Sequence, residues 1–187
     1  VVVIPAMALI LLAVLLHEQG RRVEKDAQVK QDAEAMAGDA RRAEDLGYDY
    51  FTSNETDHNP FLPLVVAAEH TSRIDLVTSI ALSFSRSPME TAYTAWDLQA
   101  LSGGRFVLGL GSQVRGHIVR RFNMNWSAPA PRTREYILAL RAIWDCWQNG
   151  TKLDFTGEHY TFNLMPPFFN PGPIEHPNLK VYIAAVN

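Results

Sequence analysis

Apolar residues fall in two rhythms along this chain. Short, nearly continuous apolar runs read as strands buried on both faces. Between them, apolar residues return every three or four positions, as on one side of a helix. Lys25–Val29, Tyr48–Ser53, Ile74–Leu82, Phe106–Leu110 and Val181–Val186 are the predicted strands. Asp32–Leu46 reads as a helix with Met36, Ala40 and Ala43 on one side, and Leu62–Thr71 as a second. A third opens at Ser87 and carries Met89, Tyr93, Trp96 and Ala100 toward a core. Thr133–Gln148 does the same with Ile137, Leu140, Trp144 and Trp147.

The punctuation agrees with this division. Asn59-Pro60 supplies a capping Asn and a first-turn Pro, although Pro63 confines the regular part of the helix to the residues after it. Ser87-Pro88-Met89-Glu90 is a stronger opening, with a Ser cap, Pro at the first helical position and Glu at the third. Gly47, Gly103-Gly104 and Gly150 stand where helices end. Leu153–Leu164 reads as a small hairpin around Gly157, and Met165–Pro177 as a Pro-rich loop. Strand alternating with helix argues for a parallel sheet with right-handed crossovers. Such strands fit an open doubly wound sheet or part of a barrel. A closed eight-stranded barrel takes about 250 residues, more than the 187 present.

Leu101–Gln113 is the most telling stretch. A helix end and a glycine turn lead into a buried strand, whose Gly109 and Gly111 leave no side chain where a flat ligand could approach the backbone. A dinucleotide fingerprint is not met, because Val114 stands where the third glycine belongs. Ser102-Gly-Gly-Arg-Phe-Val-Leu-Gly-Leu-Gly111 is instead similar to the S-G-R-x-x-L-G-x-G signature of luciferase-like oxidoreductases. Ser87–Gln99, Glu55–Pro63 and Phe168–Pro177 resemble the F420-dependent branch of that family. The resemblance implies a TIM barrel of the bacterial-luciferase type that uses the deazaflavin coenzyme F420 or flavin mononucleotide (FMN). It selects the barrel, with about the first five strands represented in 24–187 as the N-terminal part of one domain. An apolar edge and barrel interior left uncovered would predict poor solubility for the chain alone.

Barrel chemistry gathers at the carboxyl ends of the strands. Asn54, Glu55, Asp57 and His58 follow the second predicted strand, and Ser79 closes the third. Gly109, Gly111, Ser112 and Gln113 follow the fourth, and Asn187 the fifth. His58 is the expected proton donor and acceptor, since imidazole titrates near neutrality. The other reading is a His packed by Pro60 and Phe61 that ties the loop. Glu55 would orient His58 or share the proton work. The resemblance sets Asp57-His58 against the deazaflavin and makes Ser79-Ile80 a site where the family often has a cis peptide in a supporting bulge. It also places the cofactor's phosphate site largely in later strands. Asp57, Ser79, Ile80, Gly109, Gly111, Ser112 and Gln113 are therefore the expected cofactor contacts. Ser112-Gln113-Val114 lacks the carboxylate that some relatives place there, which argues against a sugar-phosphate substrate.

Composition narrows the rest. The chain is 47% hydrophobic with a net charge of −3 and no basic stripe, so nucleic acid is not an expected partner. Cys146, the only cysteine, forbids an intramolecular disulfide and fits a reducing, cytoplasmic setting; Trp144 and Trp147 beside it point to a buried helix position. No His-x-His or His-Glu-x-x-His spacing marks a metal site. Arg115, His117, Arg120 and Arg121 read as a solvated face.

Residues 1–23 form an apolar leader of uncertain origin, uncharged from Val1 to Leu16 and without the basic start of a secretory signal. A truncated or wrongly assigned terminus is the first expectation for it, then a membrane anchor, then a packed helix. The expected function is hydride transfer between F420 and a small organic substrate. An FMN-dependent monooxygenase and a non-catalytic, membrane-tethered fragment are the alternatives, and the resemblance adds a homodimer.

Overall fold

The computed structural model describes residues 18–19, 31–32 and 34–184. Val1–Leu16, the predicted strand Lys25–Val29 and Asn187 lie outside the described residues. The chain runs through α1 (34–45), β1 (Tyr50–Ser53), α2 (Leu62–His70), β2 (Asp75–Thr78) and β3 (Ala81–Leu82). It continues through α3 (Pro88–Leu101), β4 (Phe106–Gly111), α4 (Arg115–Arg120) and α5 (Pro129–Asn149). A hairpin of β5 (Phe155–Thr156) and β6 (Thr161–Phe162) precedes β7 (Lys180–Ile183).

β1, β2, β3, β4 and β7 make one sheet in which every pairing is parallel. β2 and β3 share one edge of β4, and β7 takes the other. Read across the sheet, the strands keep chain order without reversal, as in a barrel wall. Side chains also meet across the concave face. Lys180 Nζ on β7 reaches Asp75 Oδ2 on β2 at 3.1 Å, and the Tyr182 phenol lies near enough to Tyr50 to raise its hydroxyl above the usual value. The fold is thus α/β, a parallel sheet curled as a partial TIM barrel.

The predicted strand Ile74–Leu82 is divided in the middle. Val77 pairs with Val107 and Ala81 with Leu110, so four steps on one strand oppose three on the other. That is a one-residue bulge. Thr78 repairs the ladder there: its hydroxyl accepts from Gly109 N at 2.9 Å and donates to Gly109 O at 2.8 Å. The Ser79–Ile80 peptide within the bulge is cis.

Helices cover the convex face. α3 starts at the predicted cap, where Ser87 Oγ accepts from Met89 N at 3.2 Å. α5 begins four residues earlier than expected, at Pro129, because prolines are welcome in a first helical turn. It ends at Gly150, whose φ of 67° suits glycine. Trp96 of α3 stacks on Trp144 of α5 and meets Trp147 edge-on, and Trp144 donates to Ala92 O. Trp96, Trp147, Tyr136 and Phe84 are almost wholly buried, each contributing about 2 kcal/mol through burial. Cys146 sits among them as a free, buried thiol.

Two further clamps hold the frame. Glu135 of α5 accepts from the backbone N–H groups of Glu158, His159 and Tyr160, and a side chain at Gly157 would overlap its carboxylate. Arg105, at the start of β4, donates to Ala68 O, Thr71 O, Thr71 Oγ1, Ile74 O and Ser102 O. One guanidinium therefore ties α2, the entry to β2 and the end of α3. No helix among the described residues is long and apolar enough to cross a membrane.

Candidate functional site

A cleft of about 980 Å³ opens at the carboxyl ends of the sheet strands. Asn54, Glu55 and Thr56 enter it after β1, Ser79 and Ile80 from the bulge, and Ile183 and Ala184 from the end of β7. Gly111, Ser112, Gln113 and Val114 carry β4 into the wall. The first turns of α5 close one side through Thr133, Arg134, Ile137 and Leu138. Ile80, Leu82 and Ile183 give an apolar surface, with hydroxyls and amides at its margin. That combination suits a flat ring with polar edges.

The expected site residues divide on this geometry. Glu55, Ser79, Ile80, Gly111, Ser112 and Gln113 come together in the wall. Asp57, His58 and Gly109 stand outside it. Gly109 is glycine because a Cβ would overlap the Thr78 carbonyl, and one at Gly111 would press on Ile80 Cδ1. The space beside Gly109 is filled by β2, which amends the expectation that it is kept for a ligand, whereas Gly111 and the Ile80 side chain beside it both line the cleft. Gln113 adopts a φ of 61°, and its Oε1 accepts from Val114 N at 2.9 Å.

Glu55 is held on two sides. Arg86 Nη1 donates to Oε2 at 2.6 Å and Nη2 to Oε1 at 2.9 Å, while Leu82 N donates to Oε2 at 2.8 Å. The pair fastens the loop after β1 to the turn after β3, and Arg86 also lies 5.6 Å from the Phe61 ring centroid. His58 is paired with Asp57 instead, Nε2 to Oδ2 at 3.7 Å, both well exposed. The Thr56 hydroxyl, the backbone N–H of Asp57 and the charge of His58 hold the Asp57 carboxyl below its ordinary range. Arg121, just after α4, donates to Thr56 O at 3.0 Å and steadies the same loop.

Sequence reading missed Arg86 and the cleft face of α5. Arg86 is 31 residues from Glu55, so no local spacing joins them. Arg134 and Leu138 lie within the predicted helix, but only the assembled cleft shows that they face it.

The luciferase-like monooxygenase pattern matches residues 11–187. An uncharacterized protein of Mycobacterium tuberculosis is 50% identical over 166 residues, 89% of this chain and 49% of that protein. Another M. tuberculosis protein, provisionally assigned as a coenzyme F420-dependent oxidoreductase, is 33% identical over 65% of this chain and 35% of its own length. Among solved structures, the oxygenating constituent of 3,6-diketocamphane monooxygenase from Pseudomonas putida, in complex with FMN, superposes with a TM-score of 0.65 at 17% identity. It is covered over 47% of its length, by 82% of this chain. The chain thus spans half or less of the length of these proteins. With its parallel half-barrel, its bulge and its carboxyl-end cleft, the chain belongs to the luciferase-like monooxygenase family.

Proposed function

We propose that this chain forms the cofactor-facing part of an F420-dependent oxidoreductase acting on a small organic substrate. The observation that carries the reading is the cleft itself: an apolar surface of Ile80, Leu82 and Ile183 flanked by Asn54, Ser79, Ser112 and Gln113. Similarity to the provisionally assigned F420-dependent protein favours the deazaflavin. When bound, the deazaflavin supplies the hydride chemistry. The residues of the chain do the rest. The bulge presents Ser79 and Ile80 to one part of the ring, and the β4 exit presents Ser112 and Gln113 to another. The Arg86–Glu55 pair fixes the loop that carries Asp57 and His58. His58, two residues beyond the Thr56 that lines the cleft, holds or releases the proton at a substrate oxygen presented at that margin, and Asp57 beside it orients its ring.

The second reading, an FMN-dependent monooxygenase, is favoured by the FMN-bound neighbour. Fluorescence titration with F420 and with FMN separates them. Tight F420 binding with weak FMN binding supports the deazaflavin reading, and the reverse order supports the monooxygenase. A folded protein that binds neither removes both.

A further inference from the structure

The charges around the cleft indicate what it accepts. Among its wall residues only Glu55 and Arg134 ionise. Glu55 is already answered by both arms of Arg86. Arg134 is exposed on α5 and makes no hydrogen bond or ion pair among the described residues.

Its surroundings explain why it stays free. On a helix, an arginine can pair with an acid three or four positions away. Here those positions are Ala130, Pro131, Ile137 and Leu138. The adjacent Glu135 faces the hairpin, where the Glu158, His159 and Tyr160 N–H groups occupy its carboxylate. Arg132 is likewise engaged, with Tyr160 Oη at 2.9 Å and Asn125 O at 2.6 Å. Pro129 and Pro131 have no N–H, so the first turn adds little to bind a ligand. The positive charge facing the cleft is that of Arg134 alone among the described residues, beside the apolar side chains of Ile137 and Leu138 in the same wall.

We propose that Arg134 is the anion anchor of this cleft, receiving a carboxylate or phosphate group and selecting acidic small molecules. The proposal deepens the oxidoreductase reading and rests on it. The anion belongs either to the substrate or to the side chain of the cofactor, and the chemistry at Arg134 is the same.

The test uses the whole chain, with Arg134→Gln and the charge-conserving Arg134→Lys. Inorganic phosphate and acetate are titrated while the arginine Nε–Hε resonances are monitored by NMR, with chloride as the control. The expected result is a saturable shift of the Arg134 signal by phosphate or acetate beyond that caused by chloride. No such shift overturns the proposal, whether or not a cofactor binds. FMN and riboflavin, which share a ring and differ by a phosphate, locate the source of the anion. If Arg134→Gln weakens FMN about tenfold and leaves riboflavin unchanged, the cofactor supplies the group. If both flavins are unaffected while the Arg134 signal still responds to phosphate or acetate, the substrate supplies it. Failure of the wild-type chain to bind any flavin or F420 removes the cofactor reading, and the NMR titration still decides Arg134. Arg134→Lys should retain the anion affinity to within a few-fold.

Discussion

Arg86 grips both carboxylate oxygens of Glu55, and the two side chains are only 14% and 7% exposed. A pair this enclosed is most costly when broken from one side, because the remaining charge loses its partner. Glu55→Ala is expected to destabilise the chain by about 3 kcal/mol. Glu55→Gln, which keeps an acceptor for Leu82 N, should cost roughly half of that. Urea unfolding of both variants checks the order. Wild-type stability in Glu55→Ala would mean that the pair does not hold the loop.

Gly109→Ala tests the bulge. The added methyl would overlap the Thr78 carbonyl, and backbone on both sides leaves little room to yield. A loss of about 2–3 kcal/mol is expected, read as a lower denaturation midpoint at unchanged slope. Gly38→Ala is the control, because nothing lies within 4 Å of its added Cβ; there the change should be neutral or stabilising.

Glu44 predicts the acid limb of stability. Burial pushes its carboxyl up, but the N–H groups of Ile74, Arg73 and Ser72 outweigh that and bring it to about 2. The folded value lies below the ordinary 4.5, so the stabilisation is complete above that value. It is lost as pH falls from there toward 2. Glu44→Gln should lower stability at pH 7 by about 2 kcal/mol and flatten the dependence between pH 4.5 and 2. An acid limb as steep as in the wild type would contradict this.

Cys146 should report opening of the α3–α5 layer. It is 3% exposed, and burial raises its thiol above the usual value. Thiol reagents are therefore expected to react only on unfolding, at a rate that rises with urea. Rapid labelling of the native chain would place Cys146 nearer the surface.

His58→Ala tests the proton role separately from binding. The imidazole is exposed and bonds to no other element among the described residues, so the fold should survive. Turnover with reduced or oxidised F420 and a panel of small alcohols and aldehydes should fall by about a hundredfold, with cofactor affinity unchanged. Unchanged turnover would leave His58 as a loop residue.

Much of the frame was legible because its signals are local. Ser87-Pro88 announced α3, Gly150 ended α5, and the apolar run from Phe106 proved to be β4. The tryptophan neighbours of Cys146 were enough to place it in the core. What stayed hidden depends on distant pairs. The residues of Ile74–Leu82 do not show that Thr78 must serve Gly109 across the sheet; the bulge at Ser79-Ile80 was expected from the family resemblance alone. The partnership of Glu55 with Arg86 is invisible for the same reason. α5 was read four residues short because its prolines look like a loop until the helix is seen to begin on them.

Arg105 divides the glycine-rich signature between two jobs. Its guanidinium clamps the amino end of the sheet, whereas Gly111 and Ser112 reach the cleft at the other end. The first half of the motif works as a keystone and the second as a sill. A chain can therefore keep Ser102–Arg105 intact while its chemistry drifts. Within this motif, matches to that half report a shared architecture, and any difference in reaction has to be sought from residue 111 onward and in the other loops that line the cleft.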